Sequence, residues 1–457
     1  MNETSIPSAQ LTGFQDHPLR YELANELHAR PFPDLAPPTH AVYLAIKRPE
    51  AAASRDRGVD RAHLLELLDR FGATHPAPEA THYFGELGRH RIKWECHTEF
   101  VTYTIFLDGV EARPFDPASF DVFPADWLDK APGQRMTSAL IRVQRLEGGI
   151  ETAVEQSKAW FVSESLTISE VLDGDAVVSA DFRIDSAGHT RLAVFVRPDV
   201  GPRRVGRVVQ RLIEIETYKT MSMLGLPRAR ELSRAMGEID TRLTELVGRM
   251  SDQDVDAEDS LSQLLAIAAE LENMMAQSTF RFGATAAYEA IVLQRIAALR
   301  EQRVQGRVTF EEFMTRRFDP AMRTVKSTEA RLKAMAGRAL RAGGLLRTRV
   351  DVARQAQNQD LLKSMDRRAD LQLRLQETVE GLSVVAISYY AVNLLSGLLY
   401  PLADAAGFSK PQLTAGLVVP VVLVVALLIR RLRLGERRKD RDSSDDSTGA
   451  GRDNRRD

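Results

Sequence analysis

The chain has 457 residues, 44% apolar and 27% charged, enough for a sizeable core and more than one domain. With 61 Lys+Arg against 63 Asp+Glu, its net charge of −2 argues against a general nucleic-acid-binding surface. A lone cysteine, Cys96, excludes an intrachain disulfide framework and suits a reducing compartment, and the polar opening MNETSIPSAQ lacks the basic-then-apolar layout of a secretory signal.

Residues 1–200 hold most of the prolines and are rich in histidine. The stretch Asp16 to Phe32 (DHPLRYELANELHARPF) predicts a helix with Glu22, Glu26 and Arg30 on one face. Asp16, His17, Glu26 and His28 are either a ligand set or part of a helix clamped to a sheet by salt bridges. Alternation puts Val42, Leu44 and Ile46 on one side of a strand, and Phe100, Thr102, Thr104 and Phe106 on one side of another. Further strands are predicted over 81–87, 90–97, 138–145, 176–184 and 190–197. Leu64, Leu67, Leu68 and Phe71 recur at helical spacing over 59–71, with Gly72 as the stop. This pattern predicts an α+β domain with an antiparallel or mixed sheet over 1–200.

Within 90–99 (HRIKWECHTE), a period of two puts Trp94, Cys96 and Thr98 on one face and Lys93, Glu95, His97 and Glu99 on the other. His82, Glu95, His97 and Glu99 are imidazole and carboxylate groups suited to a divalent cation. The alternative is a solvated sheet face of cross-strand charge pairs. No HExxH, CxxC, GxGxxG, GxxxxGK[ST] or GxSxG motif is present, so no enzyme activity is expected and any cofactor is open.

From Arg203 to residue 380 the chain reads as long helices, a bundle or stalk. Val205, Val208, Val209, Leu212, Ile213 and Ile215 form one apolar stripe, with Pro227 predicted to kink or end it. Glu214 and Glu216 read as paired surface or interhelix charges. The acidic stretch 252–259 predicts a loop with Asp259 or Ser260 as N-cap, 304–309 a turn, and Asp319-Pro320 the start of a helix weakened only at Gly343-Gly344.

Residues 381–403 contain no charge across 23 positions, about 34 Å of helix against a hydrocarbon core of about 30 Å. Residues 413–429 hold twelve Leu, Val and Ile in 17 positions. A transmembrane hairpin is predicted, followed over 431–457 by a basic and then disordered tail. Arg367, Arg368 and Arg374 before it and Arg430, Arg431 and Arg433 after it predict both flanks cytoplasmic, a multi-pass inner-membrane protein with most of the chain in the cytosol. Tyr389, Asn393, Ser396 and Tyr400 fall on one helical face, with Gly397 allowing close approach. A polar face in lipid predicts a pore lining or a helix–helix interface, and hence a homo-oligomer.

DHPLRYELANELHARPF, KWECHTEF at 93–100, RPD at 197–199 and VQRLIEIETYKTMSMLGLP at 209–227 together resemble the bacterial family known as domain of unknown function 3422. That resemblance implies a membrane-anchored protein without assigned catalytic residues. The layout, and the run from Glu377 through Tyr400, is also similar to the CorA-type magnesium transporters. In those the pore entrance carries a Gly-Met-Asn signature that binds the hydrated ion; here Tyr400-Pro401-Leu402 stands in its place. These resemblances imply cation transport or a sensing derivative, with a non-conducting membrane-anchored scaffold or regulator that binds a partner through its cytosolic domain as the alternative.

Overall fold

The computed structural model describes residues 16–26, 32–250, 257–405 and 409–449. It divides into two compact units, Met1–Leu346 and Arg347–Asp457.

Among the described residues of the first unit, nine strands form one mixed sheet in the order β2-β3-β4-β1-β5-β8-β7-β6-β9. They are β1 (Thr39–Lys47), β2 (His82–Leu87), β3 (His90–Cys96), β4 (Val101–Asp108), β5 (Gln134–Arg145), β6 (Thr167–Val171), β7 (Ala176–Ala180), β8 (Thr190–Val196) and β9 (Gln302–Arg303). All pairings are antiparallel except β5 with β8. The helices of this unit are α1 (Arg20–Glu26), α2 (Arg57–Arg70), α3 (Ala125–Leu128), α4 (Gly149–Trp160), α5 (Pro202–Met223), α6 (Gly225–Arg249), α7 (Ala257–Leu299) and α8 (Phe310–Arg317). Helix α9 (Asp319–Ala405) begins here, and α10 (Lys410–Gly449) belongs to the second unit.

Both faces of the sheet are covered. On one, Val42, Leu44, Ile46, Trp94 and Tyr103 pack with Leu64, Leu67 and Leu68 of α2, Trp127 of α3 and Val154 of α4. On the other, Ala41, Tyr43, Ala45, Ile141 and Val194 pack with Val205, Val209 and Leu212 of α5 and Val292 and Ile296 of α7. Alternation in β1 therefore marks which cluster a residue joins, not whether it is buried: eight of the nine β1 residues are buried and the ninth is intermediate. Residues beyond 203 supply α5, α7 and strand β9 to the same compact unit as the sheet, so packing makes no division near residue 200.

Local chemistry sets the helix ends. Asp56 caps α2 by accepting from the Gly58 amide at 2.8 Å, and Gly72 follows with φ +62°. The break after α5 comes at Leu224, three residues before Pro227, which sits in the first turn of α6 where its missing amide costs nothing. The close approach belongs to Gly225, where a Cβ would lie 2.5 Å from the Thr285 hydroxyl of α7. Ser260 is buried inside α7; the start of the predicted acidic loop, 252–256, lies outside the described residues. Helix α9 continues through Gly343-Gly344, and its Val325, Leu332, Met335 and Leu346 pack with α6 and α7 in a third apolar cluster.

In the second unit, α9 and α10 are long and apolar enough to cross a membrane by length and composition. Ser388, Val392 and Ser396, spaced by four, are buried on α9, and Val392 packs with Val421 and Val425 of α10. Of the predicted polar face, Ser396 joins this seam, whereas Tyr389, Asn393 and Gly397 are exposed; the side chain of Tyr400 lies outside the described set.

Candidate functional site

Two of the sequence strings meet on the α5 side of the sheet, and Phe32 brings the end of a third. Strand β3 contributes Lys93 and Glu95, and the β3–β4 turn His97 and Glu99. From α5 come Gln210, Arg211, Glu214, Thr217 and Tyr218, and from α7 Arg281, Tyr288 and Arg295, which share one face at spacings of seven. A cavity of about 260 Å³ opens between them, lined among others by Phe32, Tyr43, Glu95, His97, Arg211, Glu214, Tyr218 and Arg295.

The turn is held from behind by a buried ion pair. Arg55 Nε donates to Asp60 Oδ2 at 2.6 Å, and both side chains are almost fully buried. The same guanidinium donates to the carbonyls of His97 at 2.8 Å, Thr98 at 2.6 Å and Phe100 at 2.9 Å. A planar fork with five donors suits such a set of converging acceptors. Cys96 lies against this pair, and burial pushes its thiol up, which makes it an unreactive core group.

From the front, Glu99 is clamped. It is fully buried, accepts both a short bond and a 3.1 Å bond from Arg281, and lies 3.6 Å from Lys47 Nζ. Burial alone would push its carboxyl up; Arg281, the Tyr288 hydroxyl and Lys47 outweigh that and hold it below the usual carboxylate range. Burial lowers the Lys47 ammonium against the pull of Glu99, and burial together with the Glu99 charge raises the Tyr288 phenol. Glu99 is thus a structural anion tying β1, the β3–β4 turn and α7 together.

A polar chain runs along the cavity wall. Lys93 Nζ lies 3.1 Å from Glu95 and donates to Gln210 Oε1 at 2.9 Å; Gln210 Nε2 donates to Glu214 Oε1 at 2.9 Å; Glu214 Oε2 accepts from Arg295. Glu216, on the same helix, is buried against Thr137 at 3.0 Å and Lys219 at 2.7 Å. Tyr218 stacks on Tyr288 with centroids 5.5 Å apart, and its edge meets His97 and Phe100 at 6.2 Å. Arg211 uses one donor on the Ala298 carbonyl near the end of α7, at 2.8 Å.

The predicted cation set is not assembled. His82 and Glu95 are register partners, but Glu99 is committed to Arg281 and Lys47, and among the described residues no group of three His, Cys, Asp or Glu side chains stands ready for a metal ion. Nor is this face solvated: Lys93 is 6% and Glu99 0% exposed, because α5 and α7 lie over it. In the N-terminal motif, Asp16 pairs with Arg20 and accepts from Tyr21 at 3.1 Å, while His17 Nδ1 accepts from the Leu19 amide. Asp16 and His17 thus serve local structure; His28 and Arg30 lie outside the described residues, as does the side chain of Glu26.

Arg211, Arg281, Tyr288, Arg295 and the Arg55 clamp were not singled out by sequence reasoning. The available signal was the Arg281, Tyr288, Arg295 heptad spacing, a polar and aromatic face on an otherwise mixed helix.

No curated protein matches the chain. The family model described as protein of unknown function (DUF3422) matches residues 15–435, and the chain belongs to that family.

Proposed function

We propose that this protein is a membrane-anchored ligand-binding regulator, with a small polar molecule seated in the cavity under α5 and the C-terminal hairpin holding the chain at a bilayer. The observation that carries this reading is the convergence of the 93–100 and 209–227 strings, with Phe32 from the first, on one cavity walled by ionisable side chains. Cavities with a few convergent polar groups are the default binding sites of a fold. Membrane anchoring is supported by exposure: Leu382, Leu394, Leu398 and Leu402 are 71–75% exposed, a patch that water tolerates poorly and lipid favours. On the positive-inside rule both flanks of the hairpin are cytoplasmic and the first unit is cytosolic.

Self-association of this anchored chain is supported by α9, where Leu361, Leu362, Met365, Leu371 and Leu375 are about 60% exposed on a helix that gains stability only by packing. A second reading, cation transport of the CorA type, is favoured by one observation: α9 runs 87 residues without a break into the first apolar span. It predicts divalent-cation flux in liposomes that Asn393→Leu abolishes; absence of flux under any gradient leaves the regulator.

The regulator reading is tested on detergent-solubilised full-length protein screened against a metabolite library by Trp fluorescence melting. Compounds that stabilise the wild type and not Ala298→Trp, a cavity-filling change, support it. A library without one such compound, or a chain found in the soluble fraction without detergent, overturns it.

A further inference from the structure

Most of the charges around the cavity are already answered by a partner. Both oxygens of Glu214 are occupied, by Gln210 and Arg295, and Glu95 faces Lys93 at 3.1 Å. Glu99 already answers Lys47 and Arg281. The cavity lining carries Arg211 and Arg295 against Glu95 and Glu214, and of these Arg295 is paired with Glu214 and Glu95 with Lys93.

Arg211 is the lining cation left for a ligand to meet. Among the described residues no carboxylate lies within ion-pair distance of it, and its one bond goes to a backbone carbonyl. Burial and the nearby Arg207, one turn earlier on α5, and Arg295, across on α7, lower its guanidinium, against the pull of Glu214. A partly buried guanidinium with most of its donors unspent is a geometry suited to a planar or tetrahedral oxyanion. Phe32, Ile213, Ala298 and the Tyr218 ring supply apolar and aromatic surface in a wall that also carries His97, Thr102, Gln210 and Thr217. The volume, about 260 Å³, lies below the ~300–1,000 Å³ typical of sites for drug-sized ligands.

We infer that the cavity binds a small organic anion, a carboxylate or phosphate monoester with a short apolar body, whose oxyanion is held by Arg211. This rests on the ligand-binding reading above and narrows it to one charge class. The apolar body lies along Phe32, Ile213 and Tyr218. Helix capping is the competing role for Arg211: its bond to Ala298 favours the end of α7 whether or not any ligand enters.

The test uses full-length protein in detergent and ligand-observed saturation-transfer NMR with three probes: butyrate, inorganic phosphate and n-butylamine. Butyrate and n-butylamine share a body and differ in charge; phosphate is an oxyanion without a body. Saturable binding of butyrate, phosphate or both, without binding of n-butylamine, is expected. Which anion binds identifies the head group as carboxylate or phosphate. Arg211→Gln is expected to weaken the anion at least tenfold, and Arg211→Lys to do so partially, while the ligand-free melting temperature of Arg211→Gln moves little. A variant that melts lower yet binds the anion with wild-type affinity assigns Arg211 to capping and overturns the inference. So does n-butylamine binding as well as butyrate, or binding of neither anion. If n-butylamine binds and Ala298→Trp removes it, the cavity reading stands and only the charge class falls. If Ala298→Trp displaces no probe and no library compound, both fall.

Discussion

Replacing Glu99 by glutamine is the sharpest probe of how the site is held. The side chain is fully buried and meets Arg281, Lys47 and Tyr288, so the change leaves two cations facing a neutral amide. Removing one partner of a buried ion pair costs about 3–5 kcal/mol. The amide oxygen still accepts from Arg281, which places the loss near the lower figure, about 3 kcal/mol. At roughly 2.1 cal/mol/K per residue, the 346 residues of the first unit lose about 0.7 kcal/mol of stability per degree near the midpoint, so Tm falls by about 4 °C. The three tryptophans, Trp94, Trp127 and Trp160, all lie in this unit, so intrinsic fluorescence of the full-length protein in detergent reports its melting alone. Acid adds a second signature. Because the folded carboxyl titrates below its unfolded value of about 4.3, its stabilisation is complete above that pH and is lost as pH falls through the folded value. The gap between wild type and Glu99→Gln must therefore close below about pH 4.3. A Glu99→Gln protein melting within about 1 °C of wild type at pH 7 would refute the clamp. Glu155→Gln, which breaks an exposed pair with Lys158, is the control and changes stability by less than about 1 kcal/mol.

Gly206→Ala drives a Cβ into the Pro33 carbonyl, 1.6 Å from its oxygen, and must push the segment 32–35 off α5; a fall in Tm of several degrees and faster proteolysis near residue 32 are expected, and unchanged cleavage would refute the packing. His63 is buried between Trp127, on which it stacks at 3.9 Å, and the Tyr103 hydroxyl, and burial holds its imidazole below the usual value. The unfolded chain then binds the proton first, so stability falls as pH drops below about 6.5, and His63→Gln flattens the Tm profile between pH 6.5 and 5. In the second unit, Val421→Asp places a carboxylate in the seam with Val392 at a cost of about 3 kcal/mol for insertion. The variant should become extractable from membranes by carbonate, and one retained like wild type would speak against a spanning α10.

What could be read from the chain alone was whatever repeats locally. Strands β1 to β5, β7 and β8 and helix α2 announce themselves through periods of two and 3.6, and the uncharged runs of 381–403 and 413–429 through length. The two-residue edge strand β9 is too short to carry a period, and neither the five-residue β6 nor α4, which opens on Gly148-Gly149, is among the predicted elements. Tertiary structure alone decided which faces are covered. The period that sets Lys93 and Glu95 on one side of β3 is the same whether that side meets water or α5, and only the packing of α5 and α7 made it a buried cavity wall. It also chose the partners: Glu99 meets Arg281 across 182 positions and Glu214 meets Arg295 across 81. Charge pairing carries no period and no fixed separation, so nothing local in the chain could have matched those residues before the helices were laid on the sheet.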